Sequence, residues 1–439
     1  MSDTIAEATT AQPAQPPVHQ AFDVILWGAT GFTGQLVADA FARRLADSPG
    51  VRWAIAGRSQ AKLEAVRAAL VASYPAQPAL ASLPILIADS NDLPSLRALA
   101  AQARVVCSTV GPYAQYGSDL VAACVAERAS YCDLTGEVHW MRKMIDAHHA
   151  QAAANGVQIV HACGFDSIPS DLGVLTLQQL AQETFGSPCT EVVLAVTRSK
   201  GGVSGGTIAS MLNTLEQVRA NPSLRKVLGD PYSLRPEGHA RGPRVRDQSG
   251  PKLDPLLGRW TAPFLMGPVN TRVVRRSNAL LGDAYGAGFL YREVVQCGKG
   301  IKGALASGAI SGAIGGVIGA LLWAPTRKLM TRYALPAPGE GPTPEVIASG
   351  LFEMRLVGRG ADANGAPFEV RCDVKGQRDP GYGATADMLS EAALCLALDR
   401  PYPHGGVLTP AVALGATLVK RLRDRGFVFN ATIPTPHAL

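Results

Sequence analysis

Residues 23–34 run Asp-Val-Ile-Leu-Trp-Gly-Ala-Thr-Gly-Phe-Thr-Gly, an apolar strand that meets three glycines at spacing three. A strand that breaks into a glycine turn and then opens a helix aims backbone N–H groups and the positive helix end at one spot, where a pyrophosphate can sit. Gly28 allows the tight turn, Gly31 the close approach of the phosphates, and Gly34 the close contact of helix with strand. The spacing alone is a weak signal, and its context decides. Val24 to Trp27 precede it, and Leu36, Val37, Ala40, Phe41 and Leu45 follow at helical period. Thr30, Phe32 and Thr33 complete the turn and belong to the same candidate cofactor contacts.

The second apolar run, Val51 to Ala56, ends in Gly57-Arg58-Ser59. An NAD-binding domain usually carries an acid about 20 residues past the glycines to hold the ribose 2′-hydroxyl. Here Arg58 occupies that region. A guanidinium grips a 2′-phosphate in a fork, Ser59 supplies a hydroxyl as the N-cap of the next helix, and Lys62 lies one turn on. NADPH is therefore the expected cofactor. A third strand, Ile85 to Ala88, ends at Asp89, where such domains approach the adenine. Arg104 to Val110 is a fourth, running into Gly111 and Pro112.

Tyr131–Leu134 and Val157–Ala162 supply two more strands, with helices over 118–128 and 137–154 between them. Strands alternating with helices of this length give an α/β fold, a Rossmann-type doubly wound parallel sheet. Ligands in such sheets bind beyond the carboxyl ends of the strands, which gathers Gly111, Pro112, Tyr113, Thr135, Gly136 and 164–166 around one site. From about residue 165 the pattern changes to a second, α+β domain. Glu191–Thr197 reads as a strand, Ile208–Val218 as a helix, and Leu351–Gly358 with Phe368–Val374 as a hairpin across Asn364-Gly365. Helices follow over Ala384–Leu398 and Pro410–Arg425.

At 439 residues with 47% apolar content, the chain holds two domains and a large core. A net charge of +6 without a dense basic block does not point to nucleic acid. The eight cysteines form no C-x-x-C pair and no zinc-type spacing, so no metal site is expected, and a reducing, cytoplasmic setting fits them. Residues 1–20 lack an apolar core and read as a disordered tail. Gly202-Val203-Ser204-Gly205-Gly206 matches a hydrolase nucleophile elbow, but no oxyanion loop or downstream Asp and His accompany it. Asp166 and Asp171 invite a paired-carboxylate reading, against which Asp171 also suits a helix start.

Gly303 to Ala324 is a stretch of 22 residues without a charge. Its length meets the requirement for a bilayer span. Its Gly/Ala dominance, the Gly315-Gly316 break and the shared character of its two flanks favour a buried or membrane-grazing helical hairpin. Lys299, Lys302, Arg327 and Lys328 flank it.

Gly28 to Gly34, Ala56-Gly57-Arg58, 109–113, 131–137, 164–171, 379–386 and 405–410 together are similar to the saccharopine dehydrogenase-like oxidoreductases, and within them to the trans-acting enoyl reductase branch. The similarity spans roughly residues 21–430. It implies a nucleotide domain over 21–165, a substrate domain over 166–380, and final helices over 381–430 that return to the nucleotide domain. The implied reaction is NADPH-dependent reduction of an enoyl-thioester lipid or polyketide intermediate, with hydride to the β-carbon and a proton to the α-carbon. Candidate donors to the thioester oxygen are Tyr113, Tyr116 and Tyr382. His161, flanked by apolar residues, reads as a core histidine. Expected partners are an acyl-thioester or lipid-like substrate presented by an acyl carrier domain, a membrane surface met peripherally on its inner face, and a second copy of the chain. Two alternatives stand beside this. One is an amino-acid oxidoreductase of the saccharopine type, which would use Arg198, Lys200, Arg272, Arg275 and Arg276 to hold carboxylates. The other is a non-catalytic protein of a lipid surface.

Overall fold

The computed structural model describes residues 20–46, 48, 50–201, 205–323, 325–326 and 341–434. The N-terminal tail but for Gln20, Gly202 to Ser204 of the elbow-like motif, and Arg327 and Lys328 lie outside the described residues.

Six strands alternate with helices in the first third of the chain. They are β1 (Phe22–Trp27), α1 (Phe32–Leu45), β2 (Trp53–Gly57), α2 (Gln60–Ser73), β3 (Ile85–Ile87), α3 (Leu93–Ala100) and β4 (Ala103–Ser108). The short α4 (Tyr113–Tyr116) and α5 (Ser118–Ala126) lead to β5 (Ser130–Asp133), α6 (Val138–Ala154) and β6 (Gln158–Val160). Every pairing in this sheet is parallel, and the strand order is 3-2-1-4-5-6 with one further strand beyond β6. Strands covered by helices on both faces bury both sides, which is why Val24 to Trp27 read as a continuous apolar run. The α1 face of Val37, Phe41 and Leu45 packs on that sheet, and Phe41 lies 5.5 Å from the Trp53 ring. Burying each such side chain is worth about 1.5–3 kcal/mol.

The second sheet begins after α7 (Ile168–Phe185) with β7 (Glu191–Lys200), followed by α8 (Gly205–Ala220), α9 (Leu224–Gly229), β8 (Lys252–Asp254) and β9 (Arg259–Pro263). Then come α10 (Gly267–Leu280), β10 (Leu290–Gly298), α11 (Gly300–Leu322), α12 (Pro344–Ala348), β11 (Leu351–Ala361) and β12 (Pro367–Gly376). Its order, β8-β9-β10-β7-β11-β12 plus a last strand, is antiparallel except where β10 runs parallel to β7. β12 alternates strictly. Phe368, Val370, Cys372 and Val374 are buried, while the residues between them reach toward solvent. In the connecting turn, Asp362 Oδ1 accepts from the amides of Asn364 at 2.8 Å and Ala366 at 2.9 Å, and only Gly365 takes a positive φ, +81°. The turn is thus organised by the Asp362 side chain rather than by paired left-handed residues.

The end of the chain returns to both sheets. A wide π-type turn over Pro380–Ala384 precedes α13 (Thr385–Leu394), where Asp387 meets Arg43 of α1 at 2.9 Å. β13 (Gly406–Leu408) pairs with β6 in the first sheet. After α14 (Gly415–Arg423), β14 (Val428–Thr432) pairs with β12 in the second. Sequence patterning finds neither strand. A three-residue strand has no period to read, and β14 is a mixed run at a sheet edge. At the join, Asp171 of α7 accepts from Ser277 Oγ at 2.5 Å and from the Ala411 amide at 2.8 Å. Burial pushes its carboxyl up to about 6, against those two bonds.

The segment expected to fold back as a hairpin is instead one straight run, α11. Gly303, Ser307 and Leu321 are its buried residues, and Ser307 Oγ donates to the Thr261 carbonyl at 2.6 Å. A Cβ added at Gly308, Gly312, Gly315, Gly316 or Gly319 meets nothing within 4 Å. The glycine spacing therefore does not mark close packing among the described residues. Each internal glycine costs about 1 kcal/mol of helix propensity, and the surrounding alanines and isoleucines tolerate it.

Candidate active site

A cavity of about 730 Å³ lies beyond the carboxyl ends of the first sheet, bounded by the glycine turn on one side and by α8, α10 and α11 on the other. The three glycines do different things there. Gly28 sits at φ +90°, and a Cβ on it would meet Val110 Cγ2 at 2.5 Å. A Cβ on Gly34 would lie 2.0 Å from the Gly28 carbonyl oxygen, so α1 rests on the turn backbone itself. Gly31 is different. Its φ of −75° suits any residue, and the nearest atom to an added Cβ is Gly28 O at an ordinary 3.5 Å. Nothing among the described residues requires a glycine at 31, whereas a ligand passing close over the turn would. No side chain caps α1, which leaves its first amides facing the cavity side. An open glycine cradle with uncapped helical amides fits a pyrophosphate.

Arg58 follows β2 directly, is exposed, and has no ion-pair partner among the described residues. Ser59 caps α2, accepting from the Lys62 amide at 3.5 Å, and its hydroxyl hydrogen stays available to a ligand. Lys62 is exposed one turn along. Asp89 lies past β3 with Oδ1 accepting from the Asn91 amide at 2.9 Å, so it shapes its own loop there. Thr30 offers its carbonyl to Gln35 at 3.2 Å, while Phe32 and Thr33 line the cavity beside Gly111 and Pro112. Arg58→Ala is expected to weaken NADPH binding by one to two decades, from a lost charge-assisted contact of about 1.5–3 kcal/mol, and to leave NADH nearly unchanged. Equal losses in parallel fluorescence titrations would remove Arg58 from the 2′-phosphate.

The three tyrosines separate. Tyr113 donates its hydroxyl to the Ser108 carbonyl at 3.1 Å and receives the Leu134 amide at 3.4 Å. Burial and the nearby Asp133 push its phenol well above the usual tyrosine range. Its ring reaches the cavity, while its hydroxyl braces the strand ends. Tyr116, one turn on, is over a third exposed and lines the mouth. Tyr382 is brought in by the π-type turn. Its amide donates to Asp379 Oδ2 at 2.8 Å, and its ring meets Phe32 edge-on at 4.8 Å. Glu137 carries no signal in its spacing, yet it organises this wall. Its carboxylate accepts from the amides of Tyr113 at 2.7 Å and Ala114 at 3.1 Å and from Ser210 Oγ at 2.9 Å.

His161 lies away from the cavity. Its Nδ1 is 2.8 Å from Asp133 Oδ2, and its ring packs edge-on against Trp140. Asp166 and Asp171 are not a pair, since Asp166 lines the cavity and Asp171 serves the α7–α10 join. The basic residues do not assemble either. Arg198 pairs with Glu353 at 3.3 Å, Lys200 is exposed, and Arg275 and Arg276 spend their guanidiniums on backbone carbonyls. Of that set only Arg272 reaches the cavity, and it is held by Asp247 at 3.0 Å. The rest of the far wall is mainly apolar, with Met211, Leu215, Leu228, Leu265, Ile318 and Leu321 beside the hydroxyls of Ser210 and Thr214.

Residues 24–160 match the family model of the saccharopine dehydrogenase NADP-binding domain. A Mycobacterium tuberculosis protein that carries the provisional name trans-acting enoyl reductase is 44% identical, over 94% of this chain and 97% of its own length. The trans-acting enoyl reductases of Mycobacterium bovis and Mycobacterium ulcerans are 37% and 38% identical, over 95% and 94% of this chain and 99% and 98% of theirs. Among solved structures, apo saccharopine dehydrogenase (L-Glu forming) from Saccharomyces cerevisiae is similar at 11% identity and a TM-score of 0.49, covering 94% of this chain and 99% of its own. With relatives this similar over nearly its full length, the chain belongs to the trans-acting enoyl reductase family and carries an NADP-binding domain of the saccharopine dehydrogenase type.

Proposed function

We propose that the protein reduces the carbon–carbon double bond of an enoyl thioester, in trans, on an acyl chain made by a separate synthase. The observation that carries this reading is the composition of the cavity. It starts at the dinucleotide turn and ends in a mainly apolar wall, with no free cluster of basic side chains among the described residues to hold amino-acid carboxylates. NADPH, when bound, supplies the hydride.

The chain's residues do the rest. The Gly28–Gly34 turn and α1 amides hold the pyrophosphate, Arg58 and Ser59 read the 2′-phosphate, and Glu137 fixes the Tyr113–Tyr116 segment. Tyr116 and Tyr382 are the candidate donors for the thioester oxygen, and Met211, Leu215 and Leu265 receive the alkyl chain and exclude water. The test is NADPH consumption with trans-2-enoyl thioesters of rising chain length, set against an amino acid and a 2-oxo acid. Turnover with the thioesters and none with the others is expected. The reverse would favour the saccharopine-type reaction.

The same reading extends to the partner surface. Past Lys302, α11 carries no charge on any side, with Leu305, Val317, Leu322 and Trp323 exposed along with Ile301 at its start, and its last turns supply Ile318 and Leu321 to the cavity. A helix apolar all round suits an apolar surrounding rather than one protein face. Lys299 and Lys302 at its start add about 1 kcal/mol each near anionic head groups. The protein is expected to float with anionic liposomes and to be released by carbonate, as peripheral attachment requires. Ile301→Asp with Leu305→Asp should abolish flotation, while Gly312→Leu, whose Cβ meets nothing within 4 Å, should raise thermal stability slightly, by up to about 1 kcal/mol of recovered helix propensity. A wild-type protein that stays off the liposomes would overturn the lipid contact and leave the reductase reading untouched.

A further inference from the structure

We propose that Asp166 is the catalytic acid that delivers the proton to the α-carbon of the enoyl thioester. This rests on the reductase reading above and names a residue within it. Asp166 sits in the turn between β6 and α7, and its neighbours are tied down on both sides. The Phe165 amide donates to Thr385 Oγ1 at 3.0 Å, and Ser167 Oγ lies 3.1 Å from Asn270 Oδ1. The backbone is thereby fixed with the Asp166 side chain on the cavity wall. A Cβ built on Gly136 would lie 3.7 Å from Asp166 Oδ2 and 3.6 Å from Met266 Cε, so the carboxyl and the Met266 methyl face the same gap beside Gly136 on the cavity wall.

Burial alone pushes this carboxyl up to about 6, and no side chain or amide among the described residues bonds to it. Other acids with raised values are committed elsewhere. Glu293, pushed up to about 7, accepts from Tyr291 and Asn270, and Asp171 accepts from Ser277 and Ala411. The other titratable groups on the cavity wall are Tyr113, Tyr116, Glu137, Arg272 and Tyr382. Glu137 is occupied by two amides and Ser210, Arg272 by Asp247, and the Tyr113 hydroxyl by Ser108. A carboxyl with a pKa near the working pH combines proton availability with driving force better than a phenol does.

The step balances. NADPH, when bound, would supply the hydride for the C–H bond at the β-carbon, with the π pair of the C=C bond moving to the α-carbon–carbonyl unit. That pair then takes the Asp166 proton to form the second C–H bond. The products are the saturated thioester, the oxidised dinucleotide and the Asp166 carboxylate, which regains a proton from water.

Asp166→Asn keeps the shape and removes the acid. Its kcat for an enoyl thioester is expected to fall by about 10²-fold or more, the usual share of a positioned acid. Its NADPH Kd by fluorescence should stay within twofold, and Asp166→Glu should restore part of the rate. Because the protonated form is the active one, wild-type kcat should fall as pH rises through the Asp166 value, and Asp166→Asn should lose that limb. Independently of turnover, infrared difference spectra of the protein should show a carboxyl band titrating near pH 6 that is missing in Asp166→Asn. Full activity in Asp166→Asn, or a carboxyl already ionised well below pH 6, would overturn the assignment. If the wild type fails to oxidise NADPH with any enoyl thioester while the infrared band titrates as stated, the reductase reading fails instead.

Discussion

Gly31→Val is expected to fold like the wild type and to lose the stabilisation that NADPH confers. The folding half follows from the geometry. At φ −75° and ψ 160° the backbone is open to a β-branched residue, and the added Cβ lies in ordinary contact with Gly28 O at 3.5 Å. The binding half follows from what glycine is for at that point. Two γ-methyls would project over the turn where the phosphates must approach the α1 amides. At a cofactor concentration 100 times its Kd, a bound ligand stabilises the native state by about 2.7 kcal/mol. A thermal-shift series should show that increment in the wild type and almost none in the variant, with apo midpoints alike. A retained NADPH shift in Gly31→Val would place the pyrophosphate elsewhere.

Gly34→Ala is expected to damage the fold itself, although alanine is the better helix former. The propensity gain is about 1 kcal/mol. Against it stands a methyl 2.0 Å from the Gly28 carbonyl oxygen and 2.9 Å from Ala29 Cα, both backbone atoms that cannot rotate away. Overpacking costs about 1–3 kcal/mol where side chains can shift, and a backbone-on-backbone contact stands at the upper end. A net loss of about 2 kcal/mol in urea unfolding is the expected result, together with weakened cofactor binding as α1 lifts from the turn. A variant as stable as wild type would mean that the turn and helix are farther apart than described. Gly31 and Gly34, three residues apart, thus separate ligand space from protein contact.

The first six strands of the first sheet were legible because most of them announce themselves twice, by buried apolar runs and by a glycine past the carboxyl end, whereas β3 shows neither signal as clearly. The position of Arg58 at the end of β2 was readable for the same reason, and its grip on a 2′-phosphate is what the cofactor titration tests. The tyrosines were not separable from sequence. Tyr113 and Tyr116 lie on one short helix, but only packing turns the first hydroxyl into Ser108 and leaves the second at the mouth. Tyr382 joins them through a π-type turn, which has no sequence period. Asp166 was visible as a residue past the end of β6. Its place on a cavity wall shared with Met266 and Val269 depends on α10, more than 90 residues later, and no local pattern carries that.

The apolar segment misled for a physical reason. Gly315-Gly316 lowers helix propensity without breaking a helix, so the run continues to Leu322 instead of folding back. Spacing-four glycines also imply a partner only if a surface is near enough to use them.

The central claim is that this cavity moves a hydride to the β-carbon of an enoyl thioester, and isotope transfer tests it most directly. NADPH deuterated at C4 on either face would be incubated with the protein and a trans-2-enoyl thioester in ordinary water, and the product analysed by mass spectrometry and proton NMR. One deuterium at the β-carbon of a saturated thioester, delivered from one face of the nicotinamide only and lost in Gly31→Val, is the predicted result. Deuterium at a carbonyl-derived carbon, or a saturated product that carries none, would contradict it.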